Sequence, residues 1–331
     1  MSFNLKGRNL LTLFDYDKKG INFLLSLAEE LKRNKKMGIT GNNLEGKNIA
    51  LIFEKPSTRT RCAFAVGAKD EKGLPEYLGK NDIQLGKKET IEDTARVLGR
   101  MFDGIQYRGF KHKTVEKLAK YAGVPVWNGL TDKFHPTQVL ADFLTIKENF
   151  NKLDDVTLVY TGDGRNNIAN SLMVSAGKMG INMKIVAPEE LWPDKNLFEK
   201  CQKVFEKSRR KLEITDDPVK GVKGANVLYT DVWASMGEED KFEERIELLK
   251  PYQINQKMIE RAGRKNLIFL HCLPAYHNKN TENGRKIYEK FGIKEMEVTD
   301  KIFESEYSKV FDQAENRMHT IKAVMVATIG K

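Results

Sequence analysis

Short runs of strand character alternate with longer amphipathic runs along most of this chain, and no other feature constrains its fold as strongly. Residues 48–53, 104–107, 124–127, 156–160, 184–186, 226–229 and 267–270 read as strands. Residues 21–35, 90–101, 115–121, 137–150, 168–179 and 193–211 carry helical periodicity between and around them. Strand, helix, strand repeated in this way predicts an α/β protein with parallel sheets covered by helices on both faces. At 331 residues the chain exceeds the size at which one core keeps growing, so two domains are expected. The polar stretch 149–155 lies near the middle and marks the junction. The last segment, 316–329, carries Met318, Ile321, Val324, Met325 and Thr328 at helical spacing and predicts a docking helix that returns to the first domain.

Composition removes several classes of function. No uninterrupted apolar stretch reaches the ~18 residues a membrane span needs, and the first residues lack the apolar centre of a signal peptide. A cytoplasmic protein with no membrane partner is expected. Three cysteines, Cys62, Cys201 and Cys272, without C-x-x-C spacing argue against a disulfide framework. The formal charge of +10 comes from basic residues interleaved with acidic ones, as in Glu29, Glu30, Lys32 and Arg33. With no zinc-finger spacing, RNP signature or basic region followed by heptads, no nucleic-acid partner is expected. Small anionic ligands fit this balance.

In open parallel sheets ligands bind beyond the carboxyl ends of the strands, so the residues that follow each strand are the test. Phe53 is followed by Ser57, Thr58, Arg59, Thr60 and Arg61; Tyr107 by Arg108 and Gly109; Trp127, after a short loop, by His135, Pro136, Thr137 and Gln138. Arginines, hydroxyls and two helix starts, one capped by Ser57 and one opened by Pro136, describe a phosphate site of guanidinium forks and backbone N–H donors. The bland alternative pairs Arg59 and Arg61 with surface carboxylates such as Glu54. In the second half, Tyr160 is followed by Thr161-Gly162-Asp163-Gly164-Arg165-Asn166-Asn167, Tyr229 by the segment from Asp231 to Gly237, and Leu270 by His271-Cys272-Leu273-Pro274. The first of these approaches the G-x-G-x-x-G dinucleotide fingerprint but has Asn167 where the third glycine belongs, which leaves a nicotinamide-dependent oxidoreductase as a weak competitor. His271 and Cys272 are adjacent at a strand end and so point to opposite faces, which argues against a shared zinc ion. No metal and no cofactor are expected.

Five ordered blocks carry a resemblance over nearly the whole chain. Phe53-Glu54-Lys55-Pro56-Ser57-Thr58-Arg59-Thr60-Arg61, Tyr107-Arg108-Gly109, His135-Pro136-Thr137-Gln138, His271-Cys272-Leu273-Pro274 and Glu315-Asn316-Arg317 resemble, in order, the motifs of the aspartate/ornithine carbamoyltransferases. The aspartate branch has H-P-L-P-R where this chain has His271-Cys272-Leu273-Pro274-Ala275, and Ser235-Met236-Gly237 is similar to the loop that closes on ornithine. The resemblance implies two doubly wound parallel-sheet domains with the active site in the cleft between them: residues 1–150 plus 317–331 for carbamoyl phosphate and 151–316 for ornithine. It implies transfer of a carbamoyl group to the side-chain amine of L-ornithine, giving L-citrulline and phosphate in arginine metabolism, biosynthetic or catabolic. Carried over residue by residue, it assigns Ser57, Thr58, Arg59, Thr60, Gln84, Arg108, His135, Gln138, Cys272, Leu273 and Arg317 to carbamoyl phosphate. Asn167, Asp231, Ser235 and Met236 go to ornithine, and Arg108, His135 and Cys272 to catalysis. The loop 81–89 departs from the pattern, with Ile83 and Lys87 where many relatives have Ser and His. In this family that loop reaches the neighbouring subunit's site, so a homotrimer or a multiple of trimers is implied.

Overall fold

In the computed structural model, which describes residues 4–234 and 241–331, the chain divides into two compact units. The first comprises residues 1–144 and 314–331, the second residues 145–313. The division falls inside two helices.

The first unit follows α1 (Lys18–Lys36) with β1 (Asn48–Phe53), α2 (Thr58–Asp70), β2 (Leu74–Gly79), α3 (Ile91–Met101), β3 (Gly104–Arg108), α4 (His112–Tyr121), β4 (Val126–Leu130) and the start of α5 (Pro136–Phe150). Its sheet has the order β2-β1-β3-β4, all parallel. β1 is apolar on both faces because both are covered. Ala50 and Ile52 join Ile105, Tyr107 and Val126 against Ala95 and Leu98 of α3 and Val115 and Leu118 of α4. Helix starts follow local chemistry: the side chains of Asp17, Ser57 and Thr90 each accept a backbone N–H in the first turn of α1, α2 and α3.

The second unit runs β5 (Thr157–Thr161), α6 (Asn167–Ala176), β6 (Asn182–Val186), α7 (Lys195–Lys207), β7 (Leu212–Thr215), α8 (Pro218–Gly221), β8 (Val227–Thr230), α9 (Phe242–Leu249), α10 (Gln256–Ala262), β9 (Ile268–His271), α11 (Glu282–Phe291) and α12 (Asp300–Phe303). The five parallel strands lie in the order β7-β6-β5-β8-β9. Val159, Leu228 and Phe269 of neighbouring strands share a buried cluster with Ile246, Met258, Val298 and Ile302. The final helix, α13 (Val310–Ile329), ends in the first unit. There Trp127 Nε1 donates to Thr328 Oγ1 at 3.1 Å, and the buried Lys322 pairs with Asp70 at 2.8 Å.

Several boundaries differ from the sequence reading. β2 and β7 were not anticipated; both are edge strands and both are only partly buried. The helix expected over 193–211 stops at Lys207, where Ser208 Oγ donates to Phe205 O and Arg209 takes a left-handed φ of 54°, releasing the chain into β7. α13 begins six residues earlier than its apolar spacing suggested, at Val310. Among the described residues no helix is long and apolar enough to cross a membrane.

In both sheets the strand order reverses beside the first strand of the unit. β1 lies between β2 and β3, and β5 lies between β6 and β8. A crevice for ligands opens at such a reversal, beyond the carboxyl ends of the two central strands. The segments that follow β1 and β3, and β5 and β8, are therefore where each unit places its polar residues.

Candidate active site

In the first unit, Ser57 closes the loop after β1 by capping α2: its Oγ accepts from Thr60 N at 3.2 Å. That cap fixes the first turn and turns Thr60 inward, where it is fully buried. Thr60 Oγ1 accepts from Arg317 Nη2 at 2.7 Å and from Arg108 Nη1 at 3.3 Å. One hydroxyl thus joins a guanidinium from the end of β3 to one from α13, and both arginines are buried. Arg108 is held from behind as well. Its carbonyl accepts from Glu54 N at 2.9 Å, Gly109 N donates to Leu130 O at 3.0 Å, and Tyr107 Oη donates to the Glu54 carboxylate.

His135, immediately before α5, is buried. Burial pushes its pKa well below the usual value, and the positive charges of Arg317, Arg108 and Arg59 push in the same direction. The ring is therefore neutral at physiological pH, and its Nδ1 lies 3.2 Å from Thr137 Oγ1. Gln138, also buried, donates from Nε2 to Asp142 Oδ1 at 2.8 Å. Thr60, Arg108, His135 and Arg317 therefore form one neighbourhood with Arg59, and Gln138 stands one helical turn into α5 beside it.

Two of the basic and amide residues stand apart from this group. Arg61 stacks its guanidinium 3.8 Å from the ring centre of Tyr77 on β2. Gln84 is exposed, at the start of a turn in which Lys87 N and Glu89 N donate to its carbonyl.

The second unit places a different chemistry at its strand ends. Asp231, after β8, is buried, and its Oδ1 accepts from Val232 N at 2.9 Å and from Cys272 Sγ at 3.0 Å. Its Oδ2 accepts from Asn166 Nδ2 at 2.8 Å. The pairing of Thr230 with His271 across β8 and β9 sets Asp231 beside Cys272. Asn166 also caps α6, its Oδ1 accepting from Ile168 N at 2.7 Å. Sequence reasoning chose Asn167, which is the first residue of α6; Asn166 is the one joined to Asp231. Two adjacent asparagines before a helix offer the same residue type at both positions, so only the cap geometry separates them.

The expectation that His271 and Cys272 point apart is corrected here. The ligating atoms of Asp231, His271 and Cys272 lie within 4.8 Å of one another. The strand ends at His271 and the chain turns sharply, with Leu273 at a φ of 58° and a cis Leu273–Pro274 bond, so the strict alternation of a strand no longer applies. His271 Nδ1 accepts from Leu273 N at 2.8 Å, and its Nε2 faces Glu297 Oε1 at 3.3 Å. Glu297 Oε1 accepts from Tyr276 N at 2.7 Å, so a fully buried carboxylate bonds one side of the turn that carries Cys272 and Leu273 and faces the His271 ring on the other. Glu297 carried no sequence signal, because it lies in a polar stretch with no motif. Ser235 and Met236 lie outside the described residues.

Comparison with known proteins places this arrangement in a family. Residues 8–148 match the model described as the aspartate/ornithine carbamoyltransferase carbamoyl-P binding domain, and residues 154–328 match the Asp/Orn binding domain of the same family. A protein named ornithine carbamoyltransferase, catabolic, from Bacillus licheniformis is 59% identical over 99% of this chain and 98% of its own length. One of the same name from Streptococcus ratti is 60% identical over 98% of this chain and 96% of its own. Among solved structures, the ornithine carbamoyltransferase of Pyrococcus furiosus superposes with a TM-score of 0.91 at 43% identity, covering 99% of both chains. The anabolic ornithine carbamoyltransferase of Campylobacter jejuni gives 0.85 at 35% identity, covering 96% of this chain and 97% of its own. The chain belongs to the aspartate/ornithine carbamoyltransferase family.

Proposed function

We propose that the protein transfers the carbamoyl group of carbamoyl phosphate to the side-chain amine of L-ornithine, releasing L-citrulline and phosphate. The observation that carries this reading is the Thr60 junction, where one buried hydroxyl joins Arg108 and Arg317 beside a neutral histidine on which three arginines act. Such a concentration of donors and positive charge suits a compact dianion with a polar carbonyl attached. The names of the relatives favour ornithine as the acceptor, as does the Cys272-Leu273-Pro274-Ala275 sequence.

In this reading the neutral amine attacks the carbamoyl carbon, the carbonyl electrons move onto oxygen, and the bond to phosphate oxygen then breaks. The oxyanion takes hydrogen bonds from Thr60, Arg108 and His135. His135 contributes as a neutral N–H donor, since its burial disfavours a second proton. Ser57, Thr58, Arg59 and the amino end of α2 hold the departing phosphate. If the amine has a pKa like lysine's ~10.4, presenting it neutral at pH 7 costs roughly 4.6 kcal/mol, at 1.36 kcal/mol per unit. Asp231 binds the α-ammonium group together with Asn167, Ser235 and Met236. Cys272, whose Sγ donates to Asp231 Oδ1 at rest, accepts or relays the amine's proton. Leu273 lines the reacting end.

The same reading places Gln84 in the site of a neighbouring copy within a homotrimer or a multiple of trimers, in the cytoplasm, serving arginine metabolism in either direction. The test is citrulline formation from carbamoyl phosphate with ornithine, putrescine or aspartate in parallel. Citrulline from ornithine with no product from the other two supports the assignment. Product from aspartate or putrescine, or none from any, overturns it.

A further inference from the structure

Gln138 and Asp142 sit one turn apart on α5, and both are essentially excluded from solvent. Residues four apart on a helix face one another, and side chains lean toward the amino end, so the Asp142 carboxylate lies back over Gln138. A primary amide is ambiguous in a site, because rotating it by half a turn exchanges an acceptor for two donors. Asp142 removes the ambiguity. Its Oδ1 accepts from Gln138 Nε2 at 2.8 Å, and a carboxylate oxygen has no hydrogen to offer the amide carbonyl. Gln138 Oε1 is left buried with no hydrogen-bond partner among the described residues. Buried carbonyls are seldom left unpaired, and one held this way beside His135 calls for a donor that arrives with the ligand.

We propose that Asp142 is a positioning residue that presents the Gln138 carbonyl as an acceptor for the carbamoyl –NH2, and that this pair selects a carbamoyl phosphate against an acetyl phosphate. The inference rests on the carbamoyl-transfer reading. The two phosphates share their charge and nearly their shape, and they differ in –NH2 against –CH3. Acetyl phosphate buries the Gln138 carbonyl against a methyl group that donates nothing, so the arginines and hydroxyls hold its phosphate while the amide loses.

The experiment measures dissociation constants of carbamoyl phosphate and acetyl phosphate by calorimetry on the full chain, with citrulline formation assayed on the same preparation. The native protein is expected to bind acetyl phosphate on the order of tenfold to a hundredfold more weakly. In Asp142→Asn the new side chain can donate as well as accept, so Gln138 turns either way. Carbamoyl phosphate binding then falls about tenfold, acetyl phosphate binding changes less than about twofold, and the discrimination collapses. A merely structural lesion weakens both ligands together, and that outcome overturns the proposal. Equal affinities in the native protein overturn it without any variant, so a failure of Asp142→Asn to fold leaves a decisive measurement. Equal affinities with citrulline still formed refute this inference alone. Discrimination that collapses in Asp142→Asn, with no citrulline formed by the native protein, refutes the acceptor assignment and supports the role of Asp142.

Discussion

Glu297→Ala gives the sharpest test of how the second unit holds the turn that carries Cys272. In the native protein the carboxylate is fully buried and accepts Tyr276 N–H at 2.7 Å, with His271 Nε2 at 3.3 Å. His271 Nδ1 already accepts the Leu273 N–H, so the ring proton sits on Nε2 and faces Glu297. Truncation removes the charge-assisted bond from Tyr276 N–H, about 1.5–3 kcal/mol, and takes away the carboxylate that faces the His271 ring. The expected loss is therefore roughly 1.5–3 kcal/mol. For a domain of this size that is a fall of roughly 3–12 °C in the unfolding midpoint. Denaturant unfolding followed by fluorescence reads it directly. Glu297→Gln, which keeps an oxygen for Tyr276, should lose only about 1 kcal/mol. Phosphate binding, which uses the first unit, should survive in both variants, while kcat/KM for ornithine falls in the alanine variant. Stability of Glu297→Ala within about 0.5 kcal/mol of native would refute the claim that this carboxylate anchors the turn bearing Cys272.

Other expectations follow from the first unit and from the thiol. Arg59→Ala should weaken carbamoyl phosphate binding at least tenfold with unfolding unchanged; undiminished affinity by calorimetry would remove Arg59 from the phosphate site. Gly109→Ala should lower kcat/KM at least tenfold, because a Cβ there overlaps Glu54 and Tyr107, the pair that holds Arg108 in place. Native-like kinetics would mean that the loop yields freely. His319 is held down to about 4, chiefly by burial, with the Glu315 hydrogen bond opposing it. The unfolded ring protonates near ~6.5 while the folded one does not, so its stabilisation is complete above that pH and is lost as pH falls toward 4. His319→Gln should therefore flatten the decline of stability between pH 6.5 and 4 in denaturant titrations, and an unchanged slope would contradict this. Cys272→Ser should lower kcat mainly at low pH, and an unaltered pH–rate profile would take the thiol out of proton handling.

What could be read from the sequence, and what could not, divides along burial. β1 and β5 announce themselves because both faces of each are covered, so their central runs, 49–53 and 158–160, are unbroken apolar stretches. β2 and β7 are edge strands with half-exposed residues, and β2 carries Pro75 and Glu76, so neither the run nor the alternation survives. The arginines, hydroxyls and His135 were legible because they cluster after strands in chain order. Asn166, Asp142 and Glu297 were not. Each bears on the site through a partner, Asp231, Gln138 and His271 respectively, and a partner distant in sequence or hidden within a helix leaves no motif to recognise.

The two arginines at the start of α2 show how geometry separates residues that the sequence treats alike. A cation in the first turn of a helix is disfavoured by roughly 0.3–1 kcal/mol. Arg61 recovers about that amount within the protein by stacking on Tyr77 at 3.8 Å, a contact worth ~0.5–1 kcal/mol at an exposed position. Arg59 points its field elsewhere: with Arg108 and Arg317 it lowers the proton affinity of His135. Three positive groups acting on one buried ring describe a site whose potential suits a dianion. Burial, the largest cause of the shift, acts on the ring independently of those charges, so His135 stands in this field as a neutral group.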